Sequence, residues 1–241
     1  MRVGIHQPMY LPWCGFFDRI SKCDVFVLLD NVQYSKNYFI NRNKIKTPSG
    51  WSWITIPVLT HGKLNQLIKD VEVDQKILWE KQHWKNIFFS YSKALFFSEH
   101  ANFFRDLYAE RYFRLEDVIE RSLTYLLKSL DISTKIIRVS DLEISGKKND
   151  YILNICKNLG ADQYLSGPDG RNYLNLGQWQ DAQIEVLFHD YHHPVYPQLY
   201  GNFEPNMSVI DLLFNCGTKS REILTLDQPK YPNRKPGGNE I

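Results

Sequence analysis

The chain opens on a short apolar run, Arg2 to His6, that reads as a strand. It passes through the proline-stiffened turn Gln7-Pro8-Met9-Tyr10-Leu11-Pro12 and continues into helical spacing from Trp13 to Cys23, with Phe16, Phe17 and Ile20 as its apolar positions. Asp24-Val25-Phe26-Val27-Leu28-Leu29-Asp30 is a continuous apolar run capped by acids, the pattern of a strand buried on both faces of a parallel sheet. Strand, turn, helix and strand within about 30 residues make a βαβ unit. Asn31 to Gly50 is polar and aromatic and reads as a loop closing in the turn Pro48-Ser49-Gly50. Trp51 to Val58 alternates as a strand does, with Gln66 to Val73 as its expected neighbour.

From Ile77 to Leu130 the period changes to 3.6, and three helices are predicted on the stripes Trp79–Phe88, Phe96–Leu107 and Leu115–Leu127. Strand and helix then alternate again. Lys135–Val139, Asp162–Leu165 and Ile184–His189 read as strands, and Asp150–Leu159, part of Tyr173–Ala182, Met207–Phe214 and Ser220–Leu224 as helices. The expected fold is therefore α/β: a Rossmann-like, mostly parallel sheet with helices on both faces and a helical segment inserted around 76–130. A single domain over 1–228 and a flexible tail over 229–241 are expected, since Pro229 to Ile241 is Pro, Gly and charge without apolar anchors.

Composition narrows the classes. The 241 residues carry 43% hydrophobic and 23% charged side chains, ordinary for a globular chain, with 14% aromatics. A net charge of +2 gives no field that argues for nucleic acid. Cys14, Cys23, Cys156 and Cys216 form no CxxC pair, so no metal is expected and free thiols of a reducing compartment are. No basic leader and no long apolar span is visible, and the expected location is cytoplasmic.

Candidate chemistry collects where parallel strands end. His6, at the end of the first strand, is the candidate acid/base with Asp30 as its orienting partner, and Tyr10 joins them as a catalytic candidate. Gln7 stands beside His6, and Trp13 with Tyr10 offers an aromatic wall. Gln33 and Lys36 follow the second strand, and Asn41-Arg42 opens an amide and cation cluster in which arginine grips a phosphate or carboxylate in bidentate fashion. Ser166, Gly167, Asp169 and Arg171 form a Gly-rich turn after a strand, with Asp169 and Arg171 able to pair. His189-Asp190-Tyr191-His192-His193 lacks the carboxylate partners of a metal motif, and a hydrogen-bonded structural role is the stronger reading of His189. Ser208 and Asp211 suggest a helix cap with an imperfect capping box.

His6-Gln7-Pro8, Tyr10-Leu11-Pro12-Trp13, Gly15-Phe16-Phe17, the Asp24–Asp30 run with Val32-Gln33-Tyr34, Asn41-Arg42-Asn43, Tyr164-Leu165-Ser166-Gly167 and Ser208 to Asn215 together resemble the WbqC-like family of bacterial proteins. Met9 and Asn31 depart from its pattern, where Asn and Asp are expected. The resemblance implies a place in O-antigen, lipopolysaccharide or related surface-sugar biosynthesis. The expected function is a transferase that modifies a nucleotide-linked amino sugar by amino-acid or acyl transfer, drawing on ATP or an activated acyl or aminoacyl donor. The alternative is a non-catalytic nucleotide-sugar binding or accessory protein. A fainter similarity links the proline turn to the H-x-G-H turn of nucleotidylyltransferases. Tyr10 and Trp13 stand in place of its histidines and Pro12 in place of its glycine.

Overall fold

A computed structural model describes residues 1–226; the expected tail from Pro229 lies outside the described residues. Its centre is a five-stranded parallel sheet of β1 (Arg2–His6), β2 (Val25–Leu28), β5 (Lys135–Arg138), β6 (Gln163–Ser166) and β7 (Glu185–Phe188). The strand order is β5-β2-β1-β6-β7. The chain leaves β1 in one direction to fill β2 and β5, then crosses to the other side of β1 for β6 and β7. The order thus reverses between β1 and β6, and crevices at such reversals, outside the C-terminal ends of the strands, are where open α/β sheets bind ligands.

Alternation sorts each strand onto two faces. Val3, Ile5, Val27 and Tyr164 pack beneath α5 (Lys148–Asn158) and α6 (Leu176–Asp181). Phe26, Leu28 and Leu165 face α1 (Cys14–Ser21) in the larger core. Only glycine fits at position 4, because a Cβ there would lie 2.7 Å from both Cys23 Sγ and the Phe26 ring.

The larger core also holds the predicted helical segment, α2 (Trp79–Tyr91), α3 (Phe97–Leu107) and α4 (Leu115–Ser129), together with α7 (Val209–Cys216) and α8 (Ser220–Thr225). One element departs from expectation. The stretch read as a loop contains β3 (Arg42–Thr47), which pairs antiparallel with β4 (Gly50–Thr55) in a two-stranded hairpin. Gln66–Val73 forms no strand and contributes the isolated bridges Gln33–Leu67, Val58–Val73 and Glu72–Arg114. The hairpin is tied to the turn after β1: Tyr10 N donates to the carbonyls of Phe39 and Ile40, and Asn43 Nδ2 donates to Leu11 O at 2.7 Å. No helix among the described residues is long and apolar enough to cross a membrane.

Candidate functional site

Two neighbourhoods collect the candidate residues. The first is the crevice where the strand order reverses. His6 ends β1, Ser166 ends β6, and His189 follows β7, its N–H donating to Ser166 O at 2.8 Å. His6 is partly buried, and its Nδ1–H donates to Gln7 O at 2.8 Å, which leaves Nε2 as the lone-pair nitrogen. Burial, reinforced by the Arg19 charge, pushes its pKa down to about 3, so the ring is neutral at neutral pH. The expected His6–Asp30 pair does not form. Asp30 is buried and accepts instead from the backbone N–H of Ser140 at 2.9 Å and from the Ser140 hydroxyl.

The oriented imidazole of this crevice is His189. Its Nε2 donates to Asp18 Oδ2 at 2.6 Å, and both side chains are buried; Lys22 Nζ lies 2.7 Å from the same oxygen. A carboxylate that holds one ring nitrogen fixes the tautomer and leaves the other nitrogen as acceptor, the arrangement of a general base. Next along α1 from Asp18 stands Arg19, 6% exposed, with its guanidinium over the Phe26 ring at 5.5 Å and no carboxylate partner among the described residues. Asp18 and Arg19 escaped the sequence reading. The signal was two charges set between Phe16-Phe17 and Ile20 on a helix whose residues from Cys14 to Ile20 are all buried.

Other expectations are corrected here. Tyr10 offers no aromatic wall and no catalytic hydroxyl: it is fully buried, its OH donating to His83 Nδ1 at 2.9 Å and meeting the Tyr108 hydroxyl. His83 Nε2–H donates to Thr55 O, and burial lowers its pKa to about 4, which fixes these donor roles. Burial raises the Tyr10 phenol well above its ordinary value. Trp13 packs edge-on against Tyr191 at 5.5 Å and shields Gly15. Arg171 pairs with Asp190 through two bonds of 2.9 and 2.7 Å rather than with Asp169, which is exposed. Ser166 is buried and donates to Gly167 O. Ser208 caps α7 as expected, but Asp211 does not close a capping box, since Ser208 N donates to Lys44 O.

The second neighbourhood is on the hairpin. Tyr34, Lys36, Asn41, Arg42, Thr55 and Pro57 line an opening of about 250 Å3 that carries two cations and no acid. Arg42 lies over the Trp53 ring at 4.3 Å and Lys44 over the Trp51 ring at 4.0 Å, so cations and indoles alternate along the outer face of the strands. Arg42 donates to Asn37 O through Nη2, while its buried Nε has no acceptor. Asn41 is structural, donating to Ile56 O at 2.8 Å. A cavity of this size holds a phosphate or one sugar ring rather than a whole nucleotide sugar. A larger hollow of about 620 Å3 sits at the opposite edge of the sheet, and its polar groups satisfy one another: Met1 N meets Asp162, and Arg2 and Glu185 share Gln163. No group of three or more His, Cys, Asp or Glu side chains is placed to hold a metal among the described residues.

The model of the WbqC-like protein family matches residues 7–223. An uncharacterized protein of Mycobacterium tuberculosis strain H37Rv is 37% identical over 225 residues, which cover 92% of this chain and 97% of that protein. No solved structure matches the chain. With nearly its whole length matched, from the turn after β1 to the last helix, this chain belongs to the WbqC-like protein family.

Proposed function

We propose that the protein is a transferase of surface-polysaccharide biosynthesis that acylates a nucleotide-linked amino sugar. The observation that carries this reading is the hairpin opening, where Lys36 and Arg42 stand beside an indole platform with no acid among the lining residues. Cations suit the diphosphate or a carboxylate, and an indole face suits a sugar ring or base. The family resemblance supplies the biosynthetic setting.

The chemistry is amide formation. The sugar amine attacks an activated carboxyl carbon, the leaving group (AMP from an adenylate, or a thiol from a thioester) departs with the bonding pair, and a base takes the ammonium proton. His189, oriented by Asp18, suits that base better than His6, whose ring lacks a carboxylate partner. His6 and Gln7 keep a role as neutral hydrogen-bonding groups of the crevice, and Gln33, bridged to Leu67, precedes Tyr34 of the hairpin opening.

Binding tests the reading. A UDP- or dTDP-linked amino sugar raises the melting temperature of the full chain. Arg42→Ala weakens that binding at least about tenfold, the loss of one charge-assisted contact. Undiminished binding in Arg42→Ala sinks the assignment.

Recognition without turnover is the second reading. It is favoured by the dispersal of His6, Asp30 and Tyr10, which do not form one catalytic group. A saturable nucleotide-sugar complex that never reacts with any donor identifies it.

A further inference from the structure

We propose that Arg19 is the anchor of an oxyanion site in the crevice between β1 and β6, distinct from the hairpin opening and not dependent on the nucleotide-sugar reading. A buried guanidinium is costly unless a carboxylate or several acceptors compensate it. Arg19 has neither. Its Nε is enclosed with no acceptor, and its neighbour along α1, Asp18, is engaged by His189 and Lys22. Around the guanidinium are the Phe26 ring, the His6 imidazole, the Cys23 thiol and the phenols of Tyr164 and Tyr173, none of them a carboxylate.

The backbone beside it is shaped to admit the guanidinium. Nη1 stands so close to Gly167 that a Cβ there would lie 2.6 Å from it. The main chain at the end of β6 therefore passes directly against the cation, with no side chain between them. Gly167 has φ −67° and ψ 167°, values any residue adopts, so its lack of a side chain is a matter of space and not of conformation. Burial also drags the Arg19 pKa below its ordinary value, the mark of an uncompensated charge. An arriving phosphate or carboxylate supplies the missing counter-charge through paired N–H···O bonds, in the crevice where sheets of this order take ligands. The shared chemistry is a small oxyanion, either a phosphate group of a nucleotide or the carboxylate of an amino acid.

The test uses the full chain in an Arg42→Ala background, so that anion binding at the hairpin does not contribute. Melting temperature is followed against inorganic phosphate in one arm and glycine in the other, at constant ionic strength. Phosphate, glycine or both raise the melting temperature of Arg42→Ala, and the arm that saturates names the source. Adding Arg19→Met abolishes the shift, and adding Gly167→Ala instead weakens it at least about tenfold, because the methyl group, 2.6 Å from Nη1, displaces the guanidinium while the charge remains. Arg19→Met also melts no lower than its Arg19 parent without anion, since an uncompensated charge has gone. Absence of any shift in Arg42→Ala overturns the proposal, as does a shift that survives Arg19→Met. If Arg19→Met melts far lower or does not fold, and Gly167→Ala binds as tightly as its parent, Arg19 is a structural strut and the proposal fails. None of these results depends on whether a nucleotide sugar binds at Arg42.

Discussion

Asp211, in the first turn of α7, carries a carboxylate with no solvent contact. Gln198 donates to one of its oxygens at 2.7 Å, the other has no hydrogen bond, and the Tyr91 and Tyr196 phenols and the Lys46 charge surround it. Burial outweighs these partners and raises its pKa from 3.8 to about 6. A folded-state pKa above the unfolded one means that the folded state holds its proton longer, so stability is lost as pH rises from about 4 to 6 and then levels off. Asp211→Asn removes that cost. It is expected to match the wild type near pH 4 and to exceed it by about 2–3 kcal/mol at pH 7.5 in urea unfolding. A gain that is the same at both pH values refutes the ionisation argument. Residue identity was the hardest scale to read from sequence. Tyr10 and His6 sit in one motif, yet one is sealed in the core against His83 and the other lies at the C-terminal end of the central strand. Arg19 was hidden because its role depends on which face of α1 is buried, and that helix has almost no exposed face.

At the scale of elements, β1, its proline turn and α1 are held together by close approach. Gly4 lets Cys23, just after α1, and Phe26 of β2 pack against β1. Gly4→Ala places a methyl 2.7 Å from Cys23 Sγ and from the Phe26 ring and is expected to cost about 1–3 kcal/mol in chemical denaturation. A neutral effect shows that Cys23 and Phe26 have room to give way around β1. The parallel strands were legible as short apolar runs because both faces of the sheet are covered, and the helices of 79–129 because their 3.6 period follows burial of one face. One arm of the hairpin was legible, since Trp51–Val58 reads as a strand and holds most of β4, but β3 was not. Arg42, Asn43, Lys44 and Lys46 on β3 give it no apolar alternation, and its buried polar members are satisfied by distant partners that a local pattern does not contain. Asn43 bonds the carbonyl of Leu11, and Lys46 bonds Gln198 and the Asn202 carbonyl. The cluster expected to be a charged loop at Asn41–Lys46 is thus a strand that presents Arg42 and Lys44 to Trp53 and Trp51 across the pair.

Across the whole molecule, a parallel sheet whose order reverses at β1 and β6 presents His6, Ser166, Gly167 and the His189–Asp18 pair at one edge. The hairpin bonded to the turn after β1 adds a cationic, aromatic surface. The fold class and the ends of the strands were readable from the sequence. Their order was not, because a strand's neighbours are chosen by crossover connections rather than by its own residues. The two oxyanion sites proposed above, one on the hairpin and one in the crevice, are what the proposed transferase needs to bring an anionic donor to a nucleotide-linked acceptor. The most direct measurement is mass spectrometry of a UDP- or dTDP-linked amino sugar incubated with the full chain and, in separate reactions, ATP with glycine or an acyl thioester. The account predicts a product heavier by one acyl or aminoacyl group, formed by the wild type and at least about tenfold more slowly by Arg42→Ala. An unchanged sugar with every donor, while the same nucleotide sugar binds saturably, contradicts the transferase and leaves recognition as the function.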